Sequence, residues 1–138
     1  MRYLALDVGE ERIGIAISDE TGLVAHPVET IIREPGPASF WRIADIVREK
    51  GVGAIVVGLP LLLDGSRGKQ VRSTRAYVRG LRAYVEVPIT YWDERHSTSR
   101  AREIMAENRS NRSLDAVAAA VILQEYLDKA EGEANGGG

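Results

Sequence analysis

A chain of 138 residues, 44% apolar and 28% charged with a formal net charge of −2, is long enough for one domain with its own core and has the composition of a globular protein. It contains no cysteine, which excludes disulfides, thiol catalysis and cysteine-ligated metal. No apolar run approaches the length of a membrane span and no signal-peptide pattern stands ahead of the first strand, so the expectation is a cytoplasmic protein with no membrane partner.

The chain opens on an apolar run, Tyr3 to Val8, interrupted by one acid, Asp7. Gly9 allows a turn, and Ile13, Ile15 and Ile17 then alternate with small or polar residues, so a hairpin is predicted from the start. A carboxylate near the end of a strand buried on both faces is costly unless it has a partner. Leu23 to Ile32 reads as a third strand, with Pro27 marking an edge or a bulge. Phe40, Trp41, Ile43, Ala44, Ile46 and Val47 recur at helical spacing, predicting a helix over 38–50 stopped by Gly51, with Trp41 in the core. Ala54 to Gly58 is a continuous apolar run, the pattern of a buried parallel strand. Leu59 to Gly68 reads as a loop.

Lys69 to Ala83 is predicted to be helical, with Val71, Thr74, Val78 and Leu81 on one stripe and Arg72, Arg75, Arg79 and Arg82 on the next. Val85 to Trp92 reads as a strand ending in Asp93 and Glu94, with Trp92 in the core. A helix from about 98 to 108 follows, then a basic loop carrying Arg109 and Arg112, then an alanine-rich helix over 114–130 with Asp115 in its first turn. The expected domain is 1–130, with a flexible glycine-rich tail over 131–138. Three meandering strands followed by alternating helices and strands predict an α/β fold with a mixed five-stranded sheet, three strands antiparallel and two parallel, flanked by helices.

The charge is uneven. Between Arg67 and Arg112 there are eleven Lys and Arg against five Asp and Glu, about +6, while the remainder carries about −8. A basic middle beside isolated acids points to a polyanion, and a solvated basic face is the plainer alternative. If the first and last strands run parallel as near neighbours, Asp7 and the Asp93/Glu94 pair meet at one sheet edge, and a helix over that edge brings Asp115. Carboxylates alone, without cysteine or histidine, suit Mg²⁺ or Mn²⁺. Such a centre can activate water for attack on a phosphodiester. Arg12, Arg72, Arg75, Arg79, Arg109 and Arg112 are the candidates for phosphate contact. Taken singly, Asp7 also reads as a turn residue, Asp115 as a helix-terminus charge and His96 as structural.

Four stretches carry a resemblance. Asp7-Val-Gly-Glu-Glu-Arg-Ile-Gly14, Gly58-Leu-Pro60 with Gly65, Asp93-Glu-Arg-His-Ser-Thr98 and Leu114-Asp-Ala through Leu127 resemble, in register, the motifs of the YqgF/RuvX family. The resemblance implies a ribonuclease H-like fold related to RuvC-type Holliday junction resolvases, and a nuclease tied to maturation of the 5′ end of pre-16S ribosomal RNA or to branched DNA. It implies metal-holding acids at Asp7, within the Asp93/Glu94 pair and at Asp115. By analogy with the single glutamate of the resolvases, Glu94 is the favoured member of the pair, with Asp93 as a supporting acid. His96 stands where relatives usually carry leucine, and three acidic positions are evident where related resolvases usually have four. Paired cuts in a junction make a homodimer an expectation, with 61–63, three leucines, as either an exposed apolar patch or a cover for the sheet. The alternative from another class is a non-catalytic RNA- or ribosome-binding module on the same fold. A third reading, a phosphate loop of the actin and sugar-kinase kind, needs two such domains and finds one.

Overall fold

The computed structural model describes residues 1–60, 68–94 and 115–136. Strand β1 (Arg2–Val8) pairs antiparallel with β2 (Arg12–Ser18), and β2 antiparallel with β3 (Ala25–Ile32). Helix α1 (Ala38–Lys50) leads to β4 (Val52–Leu59), which lies parallel to β1. Helix α2 (Lys69–Leu81) precedes β5 (Ile89–Asp93), which lies parallel to β4, and helix α3 (Asp115–Gly136) closes the described chain. The sheet order is β3-β2-β1-β4-β5, the mixed five-stranded sheet expected, with β1 buried between a hairpin partner and a crossover partner.

Alternation along the strands makes the two faces different. Leu4, Leu6, Val8, Ile13, Ile15, Ile55 and Val57 meet α1 and α2. Ala5, Ala16, Val56 and Trp92 meet Ala118, Ala119, Ile122 and Leu123 of α3. Both expectations for Pro27 hold: β3 is an edge strand, and its register against β2 shifts between Ile15, opposite Glu29, and Ala16, opposite Pro27. Gly51 ends α1 at φ 65°, and its N–H points back to the carbonyls of Val47 and Arg48.

Four expectations are corrected. Trp41 is 57% exposed rather than in the core, because it lies on the side of α1 away from Ile43, Ile46 and Val47. The strand predicted over 85–92 begins only at Ile89: Val85 and Val87 rest half-buried against the core, and Pro88, which has no N–H to give a ladder, contributes its carbonyl to Ile55 N–H at 2.9 Å. Helix α2 ends at Leu81, where Arg82 and Ala83 turn back on it. Helix α3 runs past Ala130 to Gly136, since Glu131 to Ala134 are ordinary helix residues and glycine lowers helix stability without ending a helix. The leucines at 61–63 and the helix expected from about 98 to 108 lie outside the described residues.

Candidate nuclease site at the sheet edge

Asp7 faces α3, because its neighbours Leu6 and Val8 face the other way. On one side its register partner in β2 is Gly14. On the other, the pairing of Leu6 with Val57 sets Gly58 beside it, and Gly58 in turn pairs with Trp92. The sheet therefore offers, along one row, a carboxylate flanked by two positions with no side chain.

Both gaps are filled from above. A Cβ built on Gly14 would stand 2.0 Å from the main-chain oxygen of Asp115 and 3.0 Å from Ala116 N, so the first turn of α3 rests directly on β2. A Cβ on Gly58 would stand 2.6 Å from Ile122 Cδ1 and 3.5 Å from Glu94 Cδ. The Glu94 carboxyl thus hangs over the position next to Asp7, on the α3 face. Asp93 closes β5 opposite Leu59; alternation sets it on the side of Tyr91, toward α1 and α2. Continued alternation sets Glu94 on the side of Trp92, the α3 face, and that is where its carboxyl lies.

Asp115 is buried, and Arg12 Nε donates to its Oδ2 at 2.7 Å. Arg12, expected at a phosphate backbone, gives this bond to an acid of the same cluster. The donor set is all carboxylate, the chemistry that hard divalent cations take. As the side chains stand, no three acidic or histidine side chains among the described residues are close enough together to hold a metal ion. The fit is therefore one of donor type and placement on a common face, with Oδ2 of Asp115 committed to Arg12.

The turn beside Asp7 is braced. Gly9 N–H donates to Arg12 O at 2.8 Å. Arg33 Nη1 donates to Gly9 O and to Ser73 Oγ, and its Nη2 to Ser73 O. Gln70 Nε2 donates to Val8 O at 2.7 Å. These bonds tie the end of β1 to the start of α2. The Arg33 guanidinium also lies over the ring of Tyr77, whose hydroxyl donates to Ser39 Oγ at 2.7 Å. Burial pushes the Tyr77 phenol above its ordinary pKa. Sequence reasoning did not find Arg33 or Gln70, because neither belongs to a spaced pattern. Gly14 and Gly58 sat inside recognised motifs, yet their purpose shows only when α3 is in place.

Of the basic candidates, Arg72 and Arg79 are exposed on α2, while the Arg75 guanidinium packs over the Tyr91 ring at 4.8 Å. His96, Arg109 and Arg112 lie outside the described residues. No helix among the described residues is long and apolar enough to cross a membrane.

This fold is similar to that of Thermus thermophilus RuvC in complex with Holliday junction substrate, with a TM-score of 0.57 at 14% identity over 96% of this chain and 97% of that one. The sheet is thus of the ribonuclease H-like type expected. Two proteins named "Putative pre-16S rRNA nuclease" are more similar in sequence. That of Roseiflexus sp. (strain RS-1) is 40% identical over 92% of this chain and 94% of its own. That of Syntrophus aciditrophicus (strain SB) is 42% identical over 93% and 89%. A family model described as "RuvX: Holliday junction resolvase" matches residues 1–129. With relatives aligned along nearly its whole length and acids gathered at the edge of a resolvase-type sheet, this chain belongs to the RuvX family of nucleases.

Proposed function

We propose that the chain is a metal-dependent endo- or exonuclease of RNA that trims the 5′ end of the small-subunit ribosomal RNA precursor, with Asp7, Glu94 and Asp115 as its metal-holding acids and Asp93 in a supporting place. The observation that carries this reading is the row Gly14–Asp7–Gly58, over which α3 and the residue after β5 lay Asp115 and Glu94. A Mg²⁺ or Mn²⁺ ion held there supplies an activated water and charge against the phosphate. The protein's own part is placement. Asp7 is held rigid by pairing on both sides of β1, and the Arg33 and Gln70 bonds keep the turn after it from shifting. Arg72 and Arg79, exposed on α2, are the proposed phosphate contacts, joined in this proposal by Arg75, Arg109 and Arg112. Arg12 stands apart from that set.

The names of the relatives favour RNA; the fold neighbour bound to a junction favours branched DNA as a second substrate. A cytoplasmic single domain, paired as a homodimer where two strands must be cut, completes the proposal. The test incubates wild type and Asp7→Asn with a pre-ribosomal RNA fragment and with a four-way DNA junction, each with Mn²⁺ and with chelator. Metal-dependent cleavage of RNA by wild type alone is the expected result. Cleavage by Asp7→Asn at the wild-type rate overturns the assignment of the site. Binding of RNA by both proteins without cleavage makes the chain a binding module.

A further inference from the structure

We propose that Arg12 is a stand-in cation for the acidic site: its guanidinium holds the Asp115 carboxylate while no metal ion is bound and gives it up when a divalent cation enters. The inference rests on the reading of Asp7, Glu94 and Asp115 as the metal-holding set.

Three observations carry it. First, Arg12 Nε donates to Asp115 Oδ2 at 2.7 Å, and the Asp115 side chain is only 8% exposed. A carboxylate that deeply placed needs a cation or several donors, and here a guanidinium serves. Second, the main chain of Asp115 is pressed onto Gly14, where a Cβ would stand 2.0 Å from its carbonyl oxygen. The helix end can come no closer to β2, so the exchange of partner is assigned to the Asp115 side chain turning about its own bonds. Third, Arg12 begins β2 at the rim, half-buried, directly after the exposed Glu10 and Glu11. A displaced guanidinium therefore has water within reach, with Glu11 preceding it in the chain and Glu10 paired with Lys69. A guanidinium and a divalent cation at one carboxylate oppose each other, so Arg12 stabilises the metal-free protein and weakens metal binding in the same act.

The experiment measures Mn²⁺ binding to the full chain by isothermal titration calorimetry, for wild type, Arg12→Gln and Arg42→Gln. Arg42 pairs with Glu29 between α1 and β3 and serves as the charge-matched control. Arg12→Gln is expected to bind Mn²⁺ about fivefold more tightly, the worth of one partly exposed ion pair, and Arg42→Gln to match wild type. Metal-free Arg12→Gln should melt at a lower temperature than wild type and gain more from saturating Mn²⁺. Unchanged or weaker Mn²⁺ binding in Arg12→Gln overturns the exchange. The same question is put to wild type by following the Arg12 Nε–H resonance while Mg²⁺ is added. Faster exchange with solvent is expected; continued protection at saturating Mg²⁺ overturns the proposal even if the variant does not fold. A wild type that binds neither ion removes the metal reading itself, whereas one that binds both while Arg12 stays on Asp115 removes only the exchange.

Discussion

On the α1/α2 face the sheet presents Leu4, Leu6, Val8, Ile13, Ile15, Ile55 and Val57; on the α3 face it presents Ala5, Gly14, Ala16, Val56 and Gly58. The first set keeps its helices at the distance that large branched side chains require. The second lets α3 come down until main chain meets main chain at Gly14. Helix α3 matches this, meeting the sheet with Ala118 and Ala119 where α1 uses Ile43, Ile46 and Val47. The thick face supplies most of the buried apolar surface, and so most of the stability. The thin face brings the first turn of α3, which carries Asp115, down onto Gly14, the register partner of Asp7. Most of the core and the candidate site thus fall on opposite sides of one sheet, and substitutions can test that division.

The largest effect is expected from Gly14→Ala. Its Cβ meets backbone, which cannot swing aside, so α3 must lift from the sheet. A loss of about 3 kcal/mol or more is expected from chemical denaturation, together with loss of cleavage. A stable, active Gly14→Ala would show that α3 is not seated as described. Leu6→Ala, on the thick face and fully buried, should cost about 3 kcal/mol through its cavity. Because it points away from Asp7, Mn²⁺ affinity should be unchanged in the folded fraction. Gly58→Ala comes next. The nearest atom to its Cβ is the end of the Ile122 side chain, which can rotate, so about 1 kcal/mol is expected. Glu94 Cδ would stand 3.5 Å from the added methyl, in ordinary contact, which narrows the room for a metal ion beside that carboxyl, so activity is expected to fall by more than stability does. A Gly58→Ala protein with equal, small losses in both would remove Glu94 from the site.

These cases also mark what the sequence could tell. The strand and helix order was legible because β1, β2 and β4 carry clear periods and α1 ends on a glycine. The proposed set Asp7, Glu94 and Asp115 rests on strand ends and a helix start expected at one edge, and the described structure puts the end of β1, the end of β5 and the start of α3 there. Which face Asp93 and Glu94 each take could not be read from the sequence alone, since it depends on where β5 ends and on its register against β4. The Arg12–Asp115 pair was also hidden, joining residues 103 positions apart through a contact that only the seating of α3 creates. Trp41 misled because a helical period says which residues share a face and leaves one flanking aromatic undetermined.

The smallest effect belongs to the β2–β3 turn, at the far end of the thin face, where Gln124 of α3 takes hold of Leu23 and Ala25. Asp19 organises this turn. Its carboxylate accepts from Thr21 Oγ1 and from the N–H groups of Leu23 and Val24, and these bonds, the Thr21 one first, lower its pKa from the ordinary 3.8 to about 2. A carboxyl more acidic in the folded chain than in the unfolded one stabilises the fold above the unfolded value. That contribution is complete at neutral pH and disappears as pH falls from about 4 through 2. Asp19→Asn should therefore lose a little stability at pH 7 and converge with wild type below pH 2 in melts recorded across that window. Because the turn lies at the end of the sheet away from Asp7, Mn²⁺ affinity should not change. A shift in Mn²⁺ affinity in Asp19→Asn would mean that α3 transmits strain along its whole length, and the thin face would then be one mechanical unit instead of a site at one end and a solvated turn at the other.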